Sequence, residues 1–432
     1  MIRRLPLSLF ASAALFALGA LPVAALEPAE IAQRLDRFGI TAYGKKPTAD
    51  NLAEVTGISI SSDRSKDLVD DDCAVFGSLP KLSSLHFYAA RISRVCAEAL
   101  AKSPSLTVVA TYGGELEPGA FGAFASIRTL ITLIATDMRG LSAAEVAPLA
   151  RAPALRSLDL SAASLPPGRA RWLDDTVLAE IGRIRTLQDL TLARPTVTAT
   201  GMAALAALPD LRKLTIISSR LRDEALAPLV GAPKLAHLKL LSDGRLTGAT
   251  IATLAKMPAL TQIDLYGTPV GGALAPLAGL PALKSLTITT SGVTDDDLAA
   301  LATAPALTEL HFGDNPEVGD RGVTALAGSK TLATLSMHRT LVTDAGLAAI
   351  AGMPTLVWLS VAENTVGDAT AKALVGSRLK QLDMRATDLT DAGLAELARI
   401  PTLTSIGAVA TRITDAGIAA YKQANPKGWV SK

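Results

Sequence analysis

The side chains best suited to chemistry stand at regular places along the chain. All four histidines, His86, His237, His311 and His338, lie three, five or seven places along segments that open Leu-x-x-Leu, counting the first Leu as one. Tyr88, Tyr112, Tyr266 and Trp358 occupy the same kind of position. Aromatics are only 4% of the residues, so this placement is not composition alone. Between positions 235 and 385 the set comprises His237, Lys239, Asp264, Tyr266, Thr287, Glu309, His311, His338, Trp358, Asp383 and Arg385. Such a mixture suits recognition, where aromatic and amphipathic side chains are enriched. The rival reading is a row of bulky or polar residues with good β-propensity and no further task. His311 and His338, one segment apart, also raise a pH-sensitive or metal-assisted contact as an alternative.

No catalytic constellation accompanies these residues. Gly-x-Ser-x-Gly, His-Glu-x-x-His and Gly-x-x-x-x-Gly-Lys-[Ser/Thr] are all missing from the sequence. The runs Asp70-Asp71-Asp72 and Asp295-Asp296-Asp297 suggest calcium, but acids at a helix start complement its dipole and that reading is preferred. Neither a metal nor a cofactor is expected. Cys73 and Cys96 are 23 residues apart and occupy nearly matching places in consecutive units. A disulfide between neighbouring units is the favoured reading, and two buried free thiols the alternative.

These residues must be held by a repeated unit. Leu-x-x-Leu-x-Leu, with Ile, Val, Met or Phe allowed later, opens at Leu82, Leu106, Leu130, Leu155, Leu187, Leu211, Leu235, Leu260, Leu283, Leu307, Leu332, Leu356, Leu379 and Leu403. Twelve of the thirteen intervals are 23 to 25 residues. A weaker copy begins around Leu52, using Ile58 and Ile60. Alternation turns positions four and six inward and positions three, five and seven outward. A Thr or Asp then caps a short helix, whose Leu and Ile three apart (Leu347, Ile350) return to the same core. A Pro two residues before most opening leucines stops that helix.

This pattern resembles the leucine-rich repeat family over roughly residues 52 to 432. The phrase Thr-Asp-Ala-Gly-Leu at 343–347 and 390–394, and Thr-Asp-Ala-Gly-Ile at 414–418, is similar to a bacterial type of that repeat. The usual Asn eight residues after the opening Leu is kept only at Asn315 and Asn364; Thr268, Thr340, Thr387, Thr411, Ser219 and Ser291 replace it elsewhere. The resemblance implies an α/β solenoid, a curved horseshoe with parallel strands on the concave face and short helices on the convex face. Thirteen strand steps give an inner arc of roughly 60 Å, the scale of a protein surface.

The segments outside the repeats set the remaining expectations. Arg3-Arg4, an apolar run to Leu21, and Val23-Ala24-Ala25 have the layout of a secretory signal peptide over 1–25, cleaved after Ala25. Residues 26–51 form an N-terminal cap, with Ile31, Leu35 and Phe38 on one helical face. Residues 52–413 are the array of 14–15 units, and 414–432 a C-terminal capping helix and tail. One interval, Leu155 to Leu187, is 32 residues and places an insertion near Pro166–Trp172. Its Arg169, Arg171 and Trp172 suit either a contact or a tolerated surface loop.

The formal charge is +2, and Arg3 and Arg4 account for it, so the chain after residue 25 is neutral. Neutrality gives no global reason to bind nucleic acid or an anionic membrane. The expected protein is periplasmic or secreted, monomeric, non-enzymatic and without stable membrane insertion after cleavage. Its partner is a protein or other macromolecule held on the concave face, as the resemblance implies. The alternatives are a secreted effector or accessory factor with an unrecognised hydrolytic or partner-dependent activity, and a structural envelope protein.

Overall fold

The computed structural model describes residues 26–41, 45–161, 173–219, 221–242 and 245–432. The proposed signal peptide and the insertion near Pro166–Trp172 lie outside the described residues. Among the described residues, sixteen strands form one open parallel sheet in strict chain order, from Gly57–Ile60 to Trp429–Ser431. Fifteen α-helices alternate with them in sequence except between Gln262–Tyr266 and Ser285–Thr289, which a 3₁₀ helix, Ala275–Gly279, connects. This is the horseshoe-like α/β solenoid that the resemblance implies.

Register follows from the leucine pattern. Leu310, Leu335, Leu359, Leu382, Ile406 and Val430 are successive partners across the sheet. The first five are essentially buried, so a one-residue slip would bring this whole row to the surface. Within one unit, Leu335, Met337, Leu347 and Ile350 are fully buried, from strand and helix alike. At the N-terminal end Val55 stands in the opening position, in register with Leu82, whereas Leu52 lies in a short 3₁₀ turn before it. At the other end the 24-residue step is repeated beyond Leu403, and residues 429–431 add a sixteenth strand that the leucine pattern does not mark.

Most of the described strands end on the same turn. Position eight carries positive φ in Ala89, Asp137, Arg194, Thr290, Asp314, Arg339, Glu363, Ala386 and Ala410. Gly113 and Gly267 stand at that position in two further units, at +70° and +60°. Most units therefore hold an L-residue in the left-handed region, a conformation the surrounding hydrogen bonds must stabilise.

Those bonds come from the following residue. The Asn364 amide donates to the carbonyls of Met337, Val361 and Ala362, and its carbonyl accepts from the Thr340 amide at 2.8 Å and from the Thr340 hydroxyl. Asn315 repeats this with Ile288, Phe312 and Gly313 as acceptors. Where Thr replaces Asn, the hydroxyl reaches one carbonyl: Thr387 to Met384 at 2.7 Å and Thr411 to Ala408 at 2.7 Å. A hydroxyl has one proton to give and an amide two, which explains the difference.

The Thr-Asp-x-Gly phrase has a division of labour between coils. Thr343 caps its own helix, accepting from the Ala345 amide. Asp320, which starts the preceding helix, accepts from the Thr343 amide at 2.7 Å and from its hydroxyl at 2.6 Å. The same pair recurs as Asp175–Thr198, Asp223–Thr247, Asp368–Thr390 and Asp391–Thr414. The glycine makes room: a Cβ on Gly346 would lie 2.4 Å from Asp320 Oδ1. The Asp thus serves as an inter-coil tie as well as a charge at its own helix start.

Both ends of the stack are covered. The helix Pro28–Arg37 is followed by Phe38, which sits edge-on to Phe76 with ring centroids 5.9 Å apart. Arg34 and Arg37 of that helix pair with the buried Asp72. At the far end Tyr421 is 1% exposed, and the Asn425 amide donates to the Leu403 carbonyl at 2.9 Å.

Candidate functional site

Parallel pairing places corresponding positions of consecutive units side by side. His237 pairs with Gln262 and Lys239 with Asp264, so residues about 25 apart in sequence share one patch. His237 Nε2 lies 2.7 Å from Asp264 Oδ2, and Gln262 donates its amide to the same carboxylate. Burial alone would raise the Asp264 pKa. The hydrogen bonds from His237, Gln262 and Thr287 and the charge on His237 outweigh it and hold the carboxyl below its ordinary value. Asp264 and Thr287 are themselves buried, on the floor beneath their neighbours. They position the surface rather than form it.

Above that floor the Lys239 ammonium lies 5.2 Å from the centre of the Tyr266 ring, within cation–π range. Burial, then the nearby Asp264 charge, push the Tyr266 phenol upward, so it stays protonated at neutral pH. Two units on, His311 and Trp358 approach with centroids 6.0 Å apart and planes tilted by 55°. Burial dominates the His311 imidazole and lowers its pKa, against the opposing charges of Glu309 and Asp264, and His338 adds to the lowering. The ring is therefore neutral at pH 7.

His338 turns aside. It lies over Gly313, where any Cβ would strike the imidazole, and its Nε2 is 3.1 Å from Asp314 Oδ2. Among the described residues no three His, Cys, Asp or Glu side chains are grouped as metal ligands. Arg339 bridges Asp314 and Glu363 at 3.3 and 2.7 Å. At the far end Arg385 grips Asp383 through two bonds of 2.9 and 2.8 Å, and Ser360 donates to the same carboxylate at 3.1 Å. Burial raises Asp383, but the Arg385 bonds outweigh it and lower its pKa. Glu309, in the middle of the row, is exposed.

The sequence reading did not single out Gln262, Asp314, Arg339, Ser360 and Glu363. Asp314, Arg339 and Glu363 follow the strand at the left-handed turn, outside the alternation used to find the others. The acidic runs begin helices, Asp70–Ser78 and Asp295–Leu301, and Asp72 and Asp297 fold back onto the amides of Val69 and Thr294. The sulfurs of Cys73 and Cys96 lie at bonding distance, 1.99 Å, between two adjacent helices.

A second cluster lies at the N-terminal end of the same face. Tyr88 and Tyr112 stack at 4.8 Å, and His86 stacks on Tyr112 at 6.1 Å. Burial, then Tyr88 and the charge of Asp159, raise the Tyr112 pKa. A cavity of about 490 Å³ opens beside this stack, lined by Ser59, Ser61, Ser62, Tyr88, Ala89 and Tyr112.

Residues 304–327 match the family described as Leucine Rich repeat. That segment is one unit, and its geometry recurs along the whole sheet, so the chain is built as a leucine-rich repeat solenoid. Among solved structures it is similar to an internalin (inlF) from Listeria monocytogenes, at 19% identity over 71% of this chain and 87% of that one, with a TM-score of 0.48. It is also similar to the leucine-rich repeat ectodomain of the receptor kinase GASSHO1/SCHENGEN3 from Arabidopsis thaliana, solved in complex with CASPARIAN STRIP INTEGRITY FACTOR 2. There the identity is 15%, covering 83% of this chain and 48% of that one, with a TM-score of 0.41. No curated protein sequence matches the chain. Leucine-rich repeat proteins commonly bind other proteins and are generally non-enzymatic scaffolds. Among the described residues no helix is long and apolar enough to cross a membrane.

Proposed function

We propose that this is an extracytoplasmic, non-enzymatic leucine-rich repeat protein that binds a protein partner through its concave face between His237 and Arg385. The observation that carries the reading is the pre-organised row on that face. His237–Asp264, Lys239–Tyr266, His311–Trp358 and Asp383–Arg385 are each held by contacts within the row. Side chains already ordered lose less entropy on binding, and the aromatic members give the area on which hot spots depend. Export is supported by the layout of residues 1–25 and by a cysteine pair at bonding distance, an arrangement typical of oxidising compartments.

The test is affinity capture from envelope and secreted fractions, followed by measurement of the purified partner against three variants. Tyr266→Ala, His311→Ala and Trp358→Ala remove partly exposed side chains. At least one is expected to weaken binding by about tenfold or more, the usual mark of a hot spot. A partner that binds all three variants with unchanged affinity refutes the assignment of this face.

A further inference from the structure

The two stacked tyrosines leave a vacant place. Along the seventh position the first units carry Ser61, Tyr88 and Tyr112, one strand step apart. Tyr112 covers one face of Tyr88, and a centroid separation of 4.8 Å shows that ring stacking follows the strand spacing. On the other side stands Ser61, which has no ring to continue the series. The cavity lies here, with Ser59, Ser61 and Ser62 as its floor and Tyr88 as its wall. Tyr88 is 39% exposed, an unusual state for a large aromatic side chain in this protein.

The rim of the slot is tied down by hydrogen bonds. Ser65 is buried and donates to the carbonyls of Ser62 at 3.0 Å and Ala89 at 3.3 Å, tying the rim turn to the next coil. Among the described residues no charged side chain lines it. Asp63, which accepts from the Ser61 hydroxyl, would repel an anion. A flat ring stacked on Tyr88 would lie over hydroxyls rather than over apolar groups. A protein aromatic side chain placed there would gain the stacking but could not exchange hydrogen bonds with the exposed hydroxyls of Ser59 and Ser62. A pyranose satisfies both, having an apolar C–H face for the tyrosine and hydroxyls around its rim for the serines.

We propose that this slot binds a neutral saccharide ring, stacked on Tyr88 and hydrogen-bonded by Ser59, Ser61 and Ser62. The cavity volume falls within the range of small-molecule sites. The site is independent of the row between His237 and Arg385, and either assignment can fail without the other.

The full exported chain is to be titrated with cellotetraose and with the β-linked trimer of N-acetylglucosamine, using calorimetry and saturation-transfer NMR. At least one saccharide is expected to bind, with transfer to its ring C–H protons. Tyr88→Phe keeps the ring and should retain binding; Tyr88→Ala should weaken it about tenfold. Ser61→Leu fills the slot from an exposed position and should abolish binding, whereas Trp358→Ala should leave it unchanged. Failure of both saccharides to bind overturns the proposal, as does binding unaffected by Tyr88→Ala and Ser61→Leu. Binding of N-acetyl-tryptophanamide in the same slot without either saccharide would also overturn it, in favour of an aromatic peptide side chain.

Discussion

The cost of Gly201→Ala should depend on the residue at position 175. Gly201 is the third residue of the helix Ala199–Ala206, where alanine would normally gain about 1 kcal/mol over glycine. A Cβ there would lie 2.4 Å from Asp175 Oδ1 and 3.2 Å from Asp175 Cα. The carboxylate would have to move, yet it accepts from the Thr198 amide at 2.8 Å, the Thr198 hydroxyl at 2.6 Å and the Gly201 amide at 3.2 Å. Losing that half-exposed set costs about 2–3 kcal/mol at the usual net value per bond. Gly201→Ala alone is therefore expected to destabilise by about 1–2 kcal/mol, since the propensity gain offsets part of the loss. Asp175→Ala alone costs about 2–3 kcal/mol for the same bonds. With Asp175 already replaced, Gly201→Ala meets no carboxylate and becomes nearly neutral, the propensity gain offsetting the approaches that remain to Leu178 Cδ2 at 3.1 Å and the Cα of residue 175 at 3.2 Å. The coupling of about 1–2 kcal/mol is read from a double-mutant cycle in urea. Hydrogen exchange at the amides of residues 199–206 reports whether the change is local, because a repeat array need not unfold in one step. Equal effects of Gly201→Ala in both backgrounds would refute the inter-coil tie.

Three further outcomes test other parts of the molecule. Reducing the Cys73–Cys96 link, or replacing both cysteines with serine, should destabilise the N-terminal coils by about 3 kcal/mol for a loop of this length, measured by urea unfolding with and without reductant. Asn364→Ala should cost about 3–4 kcal/mol by stranding buried backbone groups, and Asn364→Thr markedly less, because threonine fills that position in sibling units; equal losses in thermal unfolding would contradict the hydrogen-bond account. Because burial lowers the folded-state pKa of His311, the unfolded chain takes up this proton first as pH falls. The His311 contribution is thus fully present above the ordinary value of 6.5 and is lost as pH drops from there through the depressed folded value. Urea midpoints between pH 7.5 and 5 should fall less in His311→Gln than in wild type, and parallel curves would contradict the burial.

Leucine spacing alone specified the repeat, the strand order and the buried face. Period-two alternation within a strand and a 23–25-residue return leave few other ways to bury Leu335, Met337, Leu347 and Ile350 together. The same alternation assigns His237, Tyr266, His311 and Trp358 to the opposite face. It could not show that Asp264 and Thr287 would be covered, or that His338 would turn onto Asp314, because those outcomes depend on side chains from neighbouring coils. Nor did it mark the strand at Trp429–Ser431, where Lys427 stands in the opening position that leucine holds elsewhere.

The Thr-Asp-x-Gly phrase shows the boundary most clearly. As a string it identifies a helix start, since Thr is a good cap and Asp suits the positive end of the dipole. Only stacking brings these Asp residues against the next unit's Thr and Gly, 22–26 residues away, and makes the glycine a requirement of close approach. The vacant place beside Tyr88 has the same origin. Ser61 and Tyr88 are unremarkable apart, and parallel register sets the small residue next to the ring. Local sequence determined what each coil is; the contacts between coils decided which side chains remain free to meet another molecule.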